Sequence, residues 1–246
     1  MREPICPIIE YRARDGSYPP PFRGTMGNSR RGKDKGALRD YFEAVLVALI
    51  IAVVLRAFVV QAYRIPTDSM QGTLIPGDYV LVSKLAYHFG DPEPGDVIVF
   101  KYPLNPSKDF VKRCVAVEGQ KVEIRNKVVY VDDQPENVPK QVTFEDPKSI
   151  PGYLSNRDNF GPTVVPPGHL FVMGDNRDNS RDSRDWGFLD KKWLHGKAMF
   201  IYWSWAPDPA APKWESPYIL PLLTIPGYNI INFTKRLRSD RIGTGL

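Results

Sequence analysis

A mainly β domain behind a single apolar helix is the fold class this sequence predicts. Three observations point to it. Residues 41–60 read YFEAVLVALIIAVVLRAFVV, with no polar stripe on any face of the run. Beyond them, short segments rich in Val, Ile and aromatics alternate with turn signals, at 79–83, 96–101, 110–118, 122–124, 127–131, 169–173 and 197–203. The chain also carries 24 prolines, which break helices of ordinary length.

Taking the elements in order, a helix over 41–60 would be ~30 Å long at ~1.5 Å per residue, about the thickness of a bilayer's hydrocarbon core. Apolar residues on every face leave no amphipathic stripe to dock on a soluble core. Glu43 and Arg56 lie near the ends, where headgroups can solvate them. Arg30, Arg31, Lys33, Lys35 and Arg39 precede the run, and Arg64 is the only basic residue between it and Lys84. The positive-inside rule keeps the N-terminus in the cytoplasm and puts residues 61–246 on the outer side. The run follows a long tail and no small-x-small site lies just beyond it, so it reads as an uncleaved signal anchor rather than a signal peptide. Residues 1–40, rich in Arg, Gly and Pro, read as a mostly disordered basic tail.

The strands are punctuated by Ile75-Pro76-Gly77-Asp78, Glu93-Pro94-Gly95-Asp96, Glu118-Gly119-Gln120, Arg125-Asn126 and Val165-Pro166-Pro167-Gly168. Residues 135–167 are polar with scattered prolines and read as an extended insertion between core strands. Net charge is +5, much of it in the tail. Attraction to anionic lipid accounts for it, and no nucleic-acid partner is needed. The two cysteines, Cys6 and Cys114, fall on opposite sides of the membrane in this reading, so the exported domain holds no internal disulfide.

For chemistry, Ser69 stands in the turn-prone stretch Arg64-Ile65-Pro66-Thr67-Asp68-Ser69-Met70, just past the apolar run. A serine nucleophile needs a base. His88, His169 and His195 stand at turns or strand ends, and no Gly-x-Ser-x-Gly or His-Glu-x-x-His motif is present. Lys112 lies in the pattern Phe110-Val111-Lys112-Arg113-Cys114, with Phe110, Cys114 and Ala116 on its face. Desolvation there would lower its pKa and let it act as a base. The same pattern reads equally as an edge-strand lysine reaching solvent. The run from Gly174 to Gly187, Gly-Asp-Asn-Arg-Asp-Asn-Ser-Arg-Asp-Ser-Arg-Asp-Trp-Gly, fails as a calcium loop. The frame from Asp175 has Arg177 at its third position and Ser180 where Gly is needed. No metal is expected; alternating acids and arginines suit a self-paired loop.

Together these pieces resemble the bacterial type I signal peptidases (leader peptidases), membrane-anchored serine proteases with a Ser/Lys dyad. The resemblance is carried by Ile65-Pro66-Thr67-Asp68-Ser69-Met70-Gln71-Gly72-Thr73-Leu74, by Gly77-Asp78-Tyr79-Val80, by Gly95-Asp96-Val97-Ile98 followed by Phe110-Val111-Lys112-Arg113, by the run from Gly174, and by Gly196-Lys197-Ala198. It covers about residues 40–205, with a weaker echo at 238–243. Gly72 stands where many members carry proline, which would loosen the turn after the nucleophile.

The resemblance implies a signal-peptidase-like β domain that removes signal peptides from exported preproteins after Ala-x-Ala, without a cofactor. Ser69 would be the nucleophile and Lys112 the base. The Ser69 N–H and the Thr67 hydroxyl would form the oxyanion hole. Ser180 would hydrogen-bond the Lys112 amine, and Asp182 would pair with Arg184, with Arg113 as a further partner. Substrate would lie along 64–66 and 109–111, with Ile65, Pro66, Met70, Leu74, Phe110 and Val111 lining its pockets. Partners would be preproteins and the bilayer of the bacterial inner membrane, near the secretion translocon, with catalysis on the periplasmic side. Three other readings stand beside this one. They are a specialised maturation peptidase of the same clan, a non-catalytic membrane-anchored β binding module using Trp203, Trp205 and residues 218–223, and a self-cleaving repressor, which the anchor opposes.

Overall fold

Helix α1 opens the described part of the chain and runs Lys33–Val54. The computed structural model describes residues 33–212 and 219–246; most of the expected disordered tail, residues 1–32, lies outside the described residues, as do 213–218. Residues 33–40 of that tail are helical. The chain divides into two units that part after Leu49. A π turn, Leu55–Val59, closes α1, and Val60 is already extended at φ −132 and ψ 147. The expected helix over 41–60 is thus cut short: Val60–Arg64 is the first strand, β1. Among the described residues no helix is long and apolar enough to cross a membrane. Arg39, Asp40 and Glu43 interrupt the early turns of α1, and Arg39 bonds Glu43 at 2.8 Å.

Two antiparallel sheets follow. The larger is built from β1, β2 (Asp78–Ser83), β3 (Val97–Lys101), β4 (Asp109–Val117), β9 (His169–Met173), β10 (Leu189–Asp190) and β11 (Leu194–Ser204), in the order β1-β2-β11-β3-β4-β9-β10. The smaller contains β5 (Lys121–Arg125), β6 (Val128–Val131), β7 (Gln134–Pro135) and β8 (Phe160–Val164), in the order β7-β6-β5-β8. The segment expected as an extended, β-rich insertion includes one edge strand of this smaller sheet, and the sheet itself begins before it, at Lys121.

Strand β3 runs through the middle and is buried on both sides. Val97 and Val99 join Ile65, Met70, Leu74, Val80 and Ile201 in one core. Ile98 and Phe100 face the other way, into a core with Cys114, Leu170 and Val172. A third core joins the two sheets through Val115, Val122, Ile124, Val129 and Phe171. Each fully buried large side chain of this kind contributes ~1.5–3 kcal/mol. Register fixes the chemistry: β3 pairs with β4 so that Ile98 stands opposite Lys112 and Val97 opposite Arg113.

Three helices were not foreseen: α2 (Ser183–Trp186), α3 (Ile219–Ile231) and α4 (Phe233–Arg236). The prolines argued against them, yet Pro226 sits inside α3.

Candidate active site

Ser69 is held by a tight turn between β1 and β2. Ile65 N–H donates to Asp78 O at 2.8 Å and Gly77 N–H to Ile65 O at 2.9 Å, closing the base of the loop. Inside it, Gln71 N–H bonds Asp68 O at 2.9 Å and Leu74 N–H bonds Met70 O at 2.7 Å. Met70 and Leu74 project into the core and fix the turn. Ser69 is left half-buried at the top. Gly72 makes this geometry possible. Its φ is +95°, and a Cβ there would fall 1.8 Å from Gln141 O. Proline, fixed near −65°, cannot occupy it. The glycine tightens this turn against residue 141 rather than loosening it, as the resemblance had implied.

Lys112 reaches the same point from β4. Its Nζ lies 2.6 Å from Ser69 Oγ. Only 3% of Lys112 is exposed. Of the two readings open for it, the solvent-reaching edge lysine is excluded. Burial pulls its pKa down from 10.5 to about 8, against the opposing pull of Asp182 and Asp175, with Arg184 adding a smaller push downward. An amine titrating near there is neutral in a useful fraction of molecules at mildly alkaline pH, and a neutral amine can accept a proton. Thr67 Oγ1 stands 3.4 Å from Ser69 Oγ.

The loop after β9 supports both groups. Gly174 must be glycine: a Cβ would lie 2.2 Å from Ser180 Oγ and 2.3 Å from Ser69 O. Asp182 is fully buried and clasps Arg184 through Nε at 2.8 Å and Nη2 at 2.7 Å. It also accepts from Gly174 N–H at 3.0 Å and caps α2 together with Asp185. Burial alone would raise the Asp182 pKa; Arg184, the Gly174 N–H and Lys112 together hold it below the ordinary carboxylate value.

Four expectations need correction. Arg113 does not pair with Asp182. It forks onto Asp175, through Nε at 2.8 Å and Nη2 at 2.6 Å, and its Nη1 bonds Gly95 O. The register that puts Arg113 opposite Met173 delivers it to the start of the loop, not to its middle. The Ser180 hydroxyl makes no hydrogen bond to Lys112; it is buried without a partner, while the amine points at Ser69. Leu74 lies wholly in the core rather than on the cleft, because the turn at Met70 carries it inward. Nor is the loop mainly self-paired. Arg177 forks onto Glu136, Asp178 takes Lys127, and Asn176 takes Glu145.

A cleft of about 640 Å³ opens over Ser69 and Lys112. Ile65, Pro66, Thr67, Met70, Phe110 and Val111 line it as expected, together with Arg64 and Asp109. Tyr63, Tyr102, Lys108 and Arg181 also line it and were missed. Nor had the buried trio Thr73, Arg113 and Asp175 been anticipated, in which the Thr73 hydroxyl donates to Asp175 at 2.5 Å. Nothing local marks Asp175 and Thr73 as partners of a residue on another strand. Among the described residues no group of three His, Cys, Asp or Glu side chains is arranged to hold a metal.

With this geometry in place, comparison with known proteins is decisive. The model of the family described as signal peptidase, peptidase S26, matches residues 38–203. The chain belongs to that family. A probable signal peptidase I-1 of Synechocystis sp. is 39% identical over 172 residues, 67% of this chain and 82% of the relative. A signal peptidase I of Aquifex aeolicus is 35% identical over 223 residues, 70% of this chain and 87% of the relative. A signal peptidase IB of Staphylococcus aureus is 34% identical over 176 residues, 69% of this chain and 91% of the relative. As a member of the peptidase S26 family, the protein is a serine peptidase and thus a hydrolase. The matched span includes Ser69, Lys112 and the loop from Gly174 to Gly187.

Proposed function

We propose that this signal peptidase cleaves exported preproteins after Ala-x-Ala at the membrane surface, with Ser69 as nucleophile and Lys112 as general base. The observation that carries the reading is the 2.6 Å contact between Lys112 Nζ and Ser69 Oγ inside a buried, partly desolvated site. Lys112 takes the Ser69 proton as Oγ attacks the scissile carbonyl carbon. The Ser69 N–H and the Thr67 hydroxyl face the resulting oxyanion. Among the described residues the Ser69 N–H makes no hydrogen bond, so it is available for that task. Lys112 then gives the proton to the leaving amine. A water, deprotonated by the same amine, releases the acyl group from Ser69. Asp182 and Arg184 brace the loop after β9. No step needs a cofactor.

Substrate lies extended between residues 64–66 and 109–111, where backbone pairing tolerates many sequences. Small pockets formed by Ile65, Pro66, Met70, Phe110 and Val111 admit alanine. Anchoring rests on α1 and the π turn after it. From Val45 to Leu55 the large apolar side chains are exposed on all sides, a surface that lipid covers at low cost. The basic tail keeps the N-terminus cytoplasmic and the peptidase unit on the periplasmic face of the inner membrane, close to the translocon that delivers its substrates. The test is incubation of detergent-solubilised protein with a preprotein ending in Ala-x-Ala. N-terminal sequencing of the product should show cleavage after the second alanine, absent with Ser69→Ala. Cleavage elsewhere, or by the variant, contradicts the assignment.

A further inference from the structure

The cleft that holds the dyad is apolar along most of its walls but carries four charged side chains besides Lys112. They are Arg64, Lys108, Asp109 and Arg181. Asp109 is already engaged, its carboxylate 3.0 Å from His195 Nε2. The three cations are not. Each is exposed, and among the described residues none makes an ion pair or a side-chain hydrogen bond. By contrast, arginines 113, 157, 177, 184, 238 and 241 sit against carboxylates. Their placement is also not uniform. Arg181 follows Ser180, whose hydroxyl crowds the same Gly174 as the Ser69 carbonyl, so Arg181 stands close to the dyad. Arg64 and Lys108 stand several residues from Ser69 and Lys112 along the two walls.

A groove whose exposed charges are three cations against one carboxylate favours an acidic group in what enters it, and low-dielectric walls strengthen the bias. We infer that this cleft selects substrates with an acidic side chain flanking the scissile bond, read by Arg181 beside the dyad and by Arg64 and Lys108 farther along the walls. The inference rests on the peptidase reading above and names a substrate class for it. The preference is modest, because the cations are exposed. One such pair changes kcat/KM by about two- to fivefold.

The test uses the full-length protein in detergent and matched peptides containing Ala-x-Ala, with Asp, Asn or Lys at one position on either side of the cleavage point. The order of kcat/KM is expected to be Asp, then Asn, then Lys. The Asp-to-Lys ratio should shrink toward one as salt is raised, since screening weakens exposed charge contacts. Arg181→Glu should reverse the ratio at positions nearest the scissile bond, and Arg64→Glu with Lys108→Glu should reverse it farther away. Because each variant is read as a ratio against its own Asn peptide, partial loss of activity does not blur the result. If a variant fails to fold, the salt series on the wild type still decides. Equal cleavage of all three peptides by the wild type, or a ratio that salt and charge reversal leave unchanged, overturns the inference while leaving the peptidase intact. Failure to cleave any of the three overturns the peptidase reading itself.

Discussion

Replacing Lys112 with Met should make the protein more stable at neutral pH while abolishing its activity. Folding brings the Lys112 pKa from 10.5 down to about 8, with burial as the main cause. At ~1.4 kcal/mol per pH unit, that fall corresponds to roughly 3 kcal/mol of lost stability. The sign follows from proton counting. Between pH 8 and 10.5 the unfolded chain holds the proton more often than the folded one, so stability rises with pH across that window. Below it the full cost is present; above it the lysine is neutral in both states and the cost is gone. Methionine is close in volume and carries no charge, so it escapes the cost at every pH. The variant also loses the hydrogen bond to Ser69, a smaller quantity of ~0.5–1.5 kcal/mol. The net gain at pH 7 is therefore ~2 kcal/mol, or ~4–8 °C in melting temperature for a domain of this size. Urea unfolding of wild type and variant at pH 7 and at pH 10.5 measures it, since other groups cancel in the difference. A variant no more stable than wild type at pH 7, or a gap that does not narrow with rising pH, refutes the argument that burial depresses this lysine.

Four further outcomes are expected. Cleavage should rise with pH through about 8 as Lys112 loses its proton. In Asp182→Asn that limb should move to lower pH, because the lost carboxylate had favoured the charged amine; kcat against pH checks it, and an unmoved limb counts against the coupling. Asp182→Ala should cost ~3–5 kcal/mol by leaving Arg184 buried and unpaired, and adding Arg184→Met should recover most of it; urea titrations of both variants decide, and no recovery would show that the pair is not the source. Gly72→Pro should lower the melting temperature and slow cleavage, since neither its φ of +95° nor the approach of Gln141 O can be kept; a wild-type melt contradicts that reading of the turn.

Much of the larger sheet was legible because Val- and Ile-rich runs lay between Pro-Gly and Gly-Asp turns. The strand β1 was not. Val59 and Val60 continue the apolar run, and hydrophobicity alone does not mark where a helix gives way to a strand. Helix α3 was hidden by Pro221 and Pro226, which read as breakers. At the site, Ser69 and Lys112 stood out because each sat oddly in its surroundings, one in a turn beside an apolar run, the other among buried residues. Their support was harder to see. Arg113 and Asp175 are 62 residues apart, and only the register of β4 on β9 brings them together. The same limit misplaced Leu74, since an apolar residue shortly after Ser69 serves a pocket or a core equally well in sequence.

In the proposed mechanism Ser69 carries the acyl group and Lys112 activates it. Acid quench of the detergent-solubilised protein during turnover of an Ala-x-Ala ester, followed by mass spectrometry of the tryptic peptide 65–84, tests it most directly. An added acyl mass is expected on Ser69 in the wild type, and none in Ser69→Ala or Lys112→Ala. An adduct on another residue, or one that forms at the wild-type rate without Lys112, would contradict it.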